Sequence, residues 1–147
     1  ENMWGWDRKL GHAYPVACSN VPAFQAQLDL VRDDHFVVCL DIGHAEMRGH
    51  NTNAVEMIHT LRNRIGAVHL HDNDGSGDQH QNPFTGTFDW ECFIEGLREI
   101  EYEGNLSFEC GNGQLVLLPP PCRADAMKLI SSIGRYFRSR ITEQISE

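Results

Sequence analysis

The chain has 147 residues, and its 12 Lys and Arg against 21 Asp and Glu give a net charge of −9. Hydrophobic residues make up 41% and charged residues 22%, which is typical of a globular domain and excludes disordered, collagen-like and mucin-like chains. The acidic balance disfavours nucleic-acid binding, and no run approaches the roughly 18 apolar residues of a membrane helix. We expect a single domain over residues 1–147, and a cytoplasmic location because the five cysteines show no C-x-x-C spacing.

Helices and strands are predicted to alternate along the chain. Apolar residues at helical spacing mark the helices, and short continuous apolar runs mark strands that are buried on both faces. The predicted helices cover 21–33, with Asn20 as N-cap, then 52–64 and 90–100, the last capped by Asp89; the predicted strands cover 36–40, 65–70 and 106–110. The prolines at 119–121 are expected to end the segment that precedes them. An amphipathic helix over 123–141 follows, and its inward-facing residues are predicted to be Met127, Ile130, Ile133, Tyr136 and Phe137.

This alternation predicts parallel βαβ units and therefore an α/β fold. The sheet is either open or part of a barrel. No G-x-G-x-x-G or P-loop follows any strand, so nucleotide binding through those motifs is not indicated.

Reactive side chains stand where the predicted strands end. Asp41 and His44 follow the first strand, His69 and His71 the second, and Glu109 lies in the third, while Glu1 stands where a preceding strand would have ended. The carboxyl ends of parallel strands meet at one edge of the sheet, so we expect these side chains to converge there.

Four of these residues suit a divalent cation. Glu1, Asp41, His69 and Glu109 offer three carboxylates and one imidazole. Such a set favours one Mn²⁺, Mg²⁺ or Co²⁺, with Zn²⁺ also acceptable. Glu109 is the strongest indication, because a carboxylate in a buried strand is costly unless it is paired or metal-bound. The pair Asp78-x-His80 could bind substrate or a second metal.

Structural readings compete with these functional ones. Asp41 taken alone reads as a helix cap, His69 as a core histidine, and His71 with Asp72 as a solvated turn. Trp4 and Trp6 are either loop packing or one wall of a sugar pocket. The remaining histidines read as surface or helix residues, namely His12, His35, His50 and His59.

Four segments and the first three residues together resemble the xylose-isomerase-like TIM-barrel superfamily of sugar phosphate isomerases and epimerases. The four segments are LDIGHA at 40–45, VHLHDNDGSGDQH at 68–80, FTGTFDW at 84–90 and YEGNLSFE at 102–109. The first three residues, ENM, are similar to the family's Glu at the end of the fifth strand. The resemblance covers nearly the whole chain.

The resemblance implies one metal bound by Glu1, Asp41, His69 and Glu109. It further implies that Glu1 and Glu109 move a proton beside a carbonyl through an ene-diolate, and that His44 contacts the sugar. The family's H-x-K-D is replaced here by His69-Leu70-His71-Asp72, so any role of the Lys passes to His71. Together with His44 and His71, Asp78 and His80 are then expected to contact substrate.

Two alternatives follow from the same resemblance. Asp78 and His80 also resemble a pair in endonuclease-IV-like apurinic-site nucleases, where it helps to bind additional zinc ions. A complete barrel takes roughly 250 residues, so we expect this chain to be the C-terminal half, about strands five to eight. Either the N-terminal half or a second copy would then cover the open edge, and a non-catalytic half barrel is the third reading.

Overall fold

The computed structural model describes residues 1–143, and helices separate the three strands of its central sheet as the sequence predicts. A 3-10 turn over Arg62–Arg64 joins the third helix to the fourth strand. The elements are β1 (Trp4–Asp7), β2 (His12–Pro15), α1 (Val21–Val31), β3 (Val38–Asp41), α2 (Ile42–Ala45), α3 (Ala54–Leu61), β4 (Ile65–Leu70), α4 (Trp90–Glu99), β5 (Asn105–Phe108), α5 (Asn112–Leu117) and α6 (Pro120–Thr142).

A parallel sheet with the order β3-β4-β5 forms the centre of the fold. Asp41 pairs in register with His69, and His69 pairs with Ser107 on the next strand. Helices lie between successive strands, so the α/β class is confirmed. That this sheet is half of a closed barrel, and that residues 1–147 form one domain, stay predictions; residues 144–147 lie outside the described part of the chain.

The hydrophobic core lies on the helix-facing side of this sheet. Leu40, Val68 and Leu70 alternate with the polar positions of their strands and are fully buried. Phe137 of α6 completes this core, and its ring stacks on Trp90 with centroids 5.4 Å apart. Because the apolar residues take one face, Asp41 and His69 are left together on the other.

Several predicted boundaries were wrong for local reasons. Phe36 and Val37 are exposed, so β3 begins two residues later than the apolar run. Glu109 follows β5 instead of lying inside it, and its side chain is 37% exposed. The prolines begin α6 instead of only ending what precedes it, because a proline fits the first helical turn. Ile130 and Phe137 are buried as predicted.

The inward-facing set predicted for α6 was also partly wrong. Met127 is 53% exposed and Tyr136 is 37% exposed. The Tyr136 hydroxyl donates to the Glu91 carboxylate, so this side chain lies across the outer surface of α4 and does not enter the core.

The antiparallel hairpin of β1 and β2 was not predicted. It follows Glu1, Asn2 and Met3 at the start of the chain, and it carries Trp4 towards the polar edge of the main sheet. All five cysteines are free thiols. None of the helices within residues 1–143 combines the length and apolar character that crossing a membrane requires.

Candidate metal centre

Asp41 and His69 stand side by side because β3 and β4 are parallel and in register at these two residues. Asp41 is also the N-cap of α2, where its Oδ1 accepts a hydrogen bond of 2.8 Å from the backbone N–H of His44. The capping role that the sequence suggested is therefore real. It occupies one carboxylate oxygen and leaves Oδ2 facing His69 Nδ1 at 3.8 Å.

Asn2 places Glu1 beside this pair. Its side-chain amide donates to the Asp41 carbonyl at 2.8 Å and accepts from the Asp41 N–H at 2.7 Å. The two bonds replace those that a neighbouring strand would make. Glu1 Oε2 consequently lies 3.6 Å from His69 Nδ1.

Three carboxylates thus meet at one imidazole nitrogen. Glu109 Oε1 is 3.1 Å from His69 Nδ1, closer than the oxygens of Glu1 and Asp41. Glu109 reaches this position because its backbone N–H continues the β4–β5 pairing by donating to the Leu70 carbonyl. The four residues that the sequence assigned to one metal are therefore brought together.

The donor set fits a divalent cation. Among the described residues, Asp41 Oδ2 and His69 Nδ1 are buried atoms that have no hydrogen-bond partner. Asp41, His69 and Glu109 offer one ligand atom each within 4.8 Å of one another. Adjacent ligands of an ion bound at about 2.1 Å lie roughly 3 Å apart, which is close to the separations here. A cation would also offset the repulsion among the carboxylates.

A second polar cluster lies next to the first. His44, His71, Asp78 and His80 each offer one ligand atom, and these atoms also lie within 4.8 Å of one another. Asp78 is central, with Oδ1 at 3.1 Å from His80 Nε2 and 3.7 Å from His71 Nε2, while Oδ2 is 3.5 Å from His44 Nε2. The structure therefore brings together all four residues predicted to contact substrate.

His71 connects the two clusters. It is fully buried, and its Nε2 lies 3.0 Å from Asp41 Oδ1 without forming a hydrogen bond. Its ring stacks on His80 with centroids 4.1 Å apart. Gly43 makes room for the imidazole, because a Cβ at this position would overlap the His71 ring. The solvated-turn reading of His71 was wrong.

Carboxylates control the charge of His44. Burial alone would lower the pKa of His44, but the hydrogen bond to Asp78 and the Asp41 charge raise it from 6.5 to about 9. For Asp78, burial opposes ionisation, yet the His44 contact keeps the pKa of its carboxyl below the ordinary 3.8. Without a metal, His44 is therefore a cation held between two carboxylates.

We expect the metal-free protein to lose stability as pH rises. A group with a raised folded-state pKa stabilises fully below its unfolded pKa, and that contribution disappears through the folded pKa. For His44 the window runs from pH 6.5 to about 9. His44→Gln should flatten the fall in free energy of unfolding across this window, measured by urea denaturation with chelator present. His35→Gln, which alters a fully exposed side chain, should keep the fall. Equal slopes in both variants would contradict the assignment.

Asp72 anchors the loop that carries Asp78 and His80. Its Oδ2 accepts from the Trp90 indole N–H at 2.8 Å and from the Gly86 N–H at 3.0 Å, and its Oδ1 accepts from the Asn73 N–H. It is 1% exposed, so the solvated-turn reading was wrong here as well. Gly86 and Trp90 belong to the FTGTFDW segment, so this segment holds the loop that carries Asp78 and His80 in place.

Asp72→Asn is expected to destabilise the fold by about 1–3 kcal/mol, because an amide NH₂ would face a buried N–H donor and leave it unsatisfied. Urea denaturation with circular dichroism measures the change. Asp34→Asn, at an exposed position, is the matched control and should change little. A stability equal to that of the unmodified protein would show that Asp72 is not the anchor.

One histidine differs from expectation, and the structure places the two tryptophans for which two readings were open. His50 was predicted at the surface or on a helix, but it is 2% exposed, and burial lowers its pKa. Its Nδ1 lies 3.2 Å from Thr52 Oγ1, which is the local reason for its inward position. Trp4 packs edge-on against His44 with centroids 6.3 Å apart, so it lies at the candidate site; Trp6 packs on Trp4 and is 40% exposed.

The fold and the site together define a parallel α/β protein with a carboxylate-rich centre where the strands end. The chain belongs to the family described as xylose isomerase-like TIM barrel, whose model matches residues 1–133. The family resemblance predicted from the sequence is thereby confirmed.

Several proteins that are similar to this chain are longer than it. An uncharacterised protein of Methanocaldococcus jannaschii is 31% identical over 66% of this chain and 37% of its own length. Another, of Sinorhizobium fredii, is 32% identical over 57% of this chain and 26% of its own length. A crystal structure of a D-tagatose 3-epimerase-like protein is similar with a TM-score of 0.60 and 29% identity, over 83% of this chain and 43% of that protein. The chain thus spans less than half of each.

Proposed function

We propose that this chain carries the centre of a divalent-metal-dependent isomerase or epimerase that acts on a sugar or sugar phosphate. The observation that carries the proposal is the meeting of the Glu1, Asp41 and Glu109 carboxylates at His69 Nδ1. The D-tagatose 3-epimerase-like neighbour supports the substrate class. Glu1, Asp41, His69 and Glu109 would hold one Mn²⁺, Mg²⁺ or Co²⁺, or a Zn²⁺.

Proton transfer next to a carbonyl is the reaction that these residues suit. A bound cation would act as a Lewis acid that lowers the cost of an ene-diolate. Glu1 and Glu109 are the more exposed carboxylates, with 31% and 37% of their side chains accessible, so they can approach a substrate carbon. One removes a proton from that carbon and the other returns one. Asp41 is fully buried and serves as a ligand.

The second cluster would recognise the substrate. His44 Nδ1 stands 3.6 Å from Glu1 Oε1, beside a carboxylate proposed to move the proton, so its ring can contact an oxygen of the sugar next to the reacting carbon. Asp78 and His80 reach the same edge from the anchored loop, and His71 fills the space beneath them. Trp4 supplies an apolar ring against which a sugar face can pack.

Deuterium exchange tests the proposal without knowledge of the product. The whole protein that contains this chain is incubated in D₂O with Mn²⁺, Mg²⁺, Co²⁺ or Zn²⁺ in turn and a panel of ketoses, aldoses and their phosphates. Deuterium at the carbon beside the carbonyl of at least one sugar, read by mass spectrometry and NMR, is the expected result. Exchange that is absent across the panel with every one of the four metals would count against the proposed reaction.

The second candidate is a zinc-cluster nuclease of the endonuclease-IV type. The observation that favours it is the four-residue cluster around Asp78, in which Asp78 Oδ1 and His71 Nε2 have no hydrogen-bond partner among residues 1–143. The net charge of −9 speaks against DNA binding. Elemental analysis separates the two: one metal per chain supports the epimerase, and two or three zinc ions with cleavage of an apurinic oligonucleotide support the nuclease.

Both outer strands of the described sheet, β3 and β5, have one edge that pairs with no other strand among the described residues. We infer that further strands, from an N-terminal half or from a second copy, pair with them, because an exposed strand edge is prone to association. The mass of the purified protein in solution, together with its gene-encoded length, tests which source applies. A monomeric product of this length that keeps metal and activity would refute the inference.

A further inference from the structure

Cys39 lies directly below the candidate centre on the same face of the sheet. It precedes Asp41 by two residues in β3, and side chains two apart in a strand point to the same side. Its register partner is Ala67, which is likewise two residues before His69. Cys39 is therefore one step down the strand from the Asp41–His69 pair, next to a methyl side chain.

The thiol is within reach of two of the proposed ligands. The Cys39 Sγ and one ligand atom each of Glu1 and His69 all lie within 4.8 Å of one another. His69 also belongs to the group with Asp41 and Glu109. Two sets of three donors, one made of nitrogen and oxygen alone and one containing sulfur, therefore share a single imidazole.

An independent observation indicates that a cation belongs at this position. Asp41 is fully buried, and its Oδ2, which faces His69, lacks a hydrogen-bond partner in the described part of the chain. Cys39 itself is only half-buried and borders the same space. Cys110 is the contrasting case, because it is buried and belongs to none of the donor groups found among the described residues.

We propose that Glu1, Cys39 and His69 form a second coordination mode of this centre, selective for thiophilic cations such as Cd²⁺ and Zn²⁺. The proposal rests on the metal centre of the proposed function. Binding forms a sulfur–metal bond, and the thiol proton is released to solvent, so no oxidant or reductant is needed. Thiolate ligands select soft cations, whereas Mg²⁺ and Mn²⁺ prefer carboxylates.

Cadmium titration of the whole metal-free protein tests the proposal. Cd²⁺ should produce an ultraviolet sulfur-to-metal charge-transfer band that saturates at one equivalent, and Mg²⁺ should produce none. Cys39→Ser should lose the band. Cys18→Ser is the matched control, since it alters another half-buried cysteine outside the donor groups, and it should keep the band. No band in the unmodified protein, or an unchanged band in Cys39→Ser, would overturn the proposal.

A measurement on the unmodified protein covers the case in which Cys39→Ser does not fold. Cd²⁺ should slow alkylation of Cys39 by iodoacetamide, mapped by mass spectrometry, and leave the exposed Cys92 and Cys122 unaffected. Equal alkylation of Cys39 with and without Cd²⁺ refutes the proposal. The two experiments distinguish failure of this proposal from failure of the proposed function. Deuterium exchange with Mn²⁺ in the absence of a cadmium–sulfur band refutes only the role of Cys39. A cadmium–sulfur band in the absence of deuterium exchange refutes only the epimerase.

Discussion

Glu109→Gln is expected to abolish sugar isomerisation by the whole protein and leave its fold intact. Glu109 Oε1 is the carboxylate oxygen closest to His69, and the amide of Gln can neither accept nor return a proton at neutral pH. Loss of a general acid–base group typically lowers the rate by roughly 10²–10⁴-fold. Deuterium exchange into the substrate measures the loss, and circular dichroism with thermal unfolding checks the fold.

Glu103→Gln provides the matched comparison. Glu103 is an exposed residue beyond α4, between Tyr102 and the beginning of β5, so its substitution removes the same charge from a position remote from the strand ends. Its turnover should equal that of the unmodified protein. Turnover by Glu109→Gln at the unmodified level would remove Glu109 from the mechanism, whatever its place in the centre.

Asp41→Ala is expected to produce the largest loss of metal. Asp41 is the fully buried ligand of the proposed set, and Asn2 holds its backbone N–H and carbonyl, so its carboxylate has a fixed position in the centre. Metal content after dialysis, measured by elemental analysis, should fall well below one equivalent per chain. Because Asp41 also caps α2, a moderate loss of stability of about 0.5–2 kcal/mol should accompany it.

Asp41→Asn separates the two roles of this residue. The amide oxygen of Asn is an accepted N-cap, but the neutral side chain is a poorer cation ligand than a carboxylate. We therefore expect Asp41→Asn to keep most of the stability and lose most of the metal. Full metal occupancy in both variants would contradict a ligand role for Asp41.

The parallel sheet and the main ligands could be predicted because they follow from local patterns. A continuous apolar run fixes a strand such as β4, and a carboxylate or imidazole at its end must then lie at the sheet's edge. Asp41 and His69 were placed correctly by this rule alone. For Glu109 the rule gave the right place but the wrong strand boundary, because β5 ends at Phe108 while the Glu109 N–H still donates to the Leu70 carbonyl.

Features that depend on distant contacts could not be predicted in this way. The Asn2 amide looks like any polar loop residue in the sequence, and its function is visible only once Asp41 lies opposite. Asp72 reads as a turn residue until the indole of Trp90 is found against it. The burial of His50 could not be predicted either, because its neighbours in the sequence are polar. A buried polar residue needs partners, and those partners are set by tertiary structure.

The loop from Asp72 to Gln81 is closed at its neck by two backbone hydrogen bonds between these residues, of 2.8 and 2.9 Å. The hydrogen bonds of this neck are made by backbone atoms of Asp72 and Gln81 and not by the side chains of Asp78 and His80 within the loop. Exchanges of the exposed Asp74, Ser76 and Gln79 should therefore leave the base of the loop intact while they alter which molecule is accepted. Laboratory evolution of a new substrate preference could therefore begin with these loop positions.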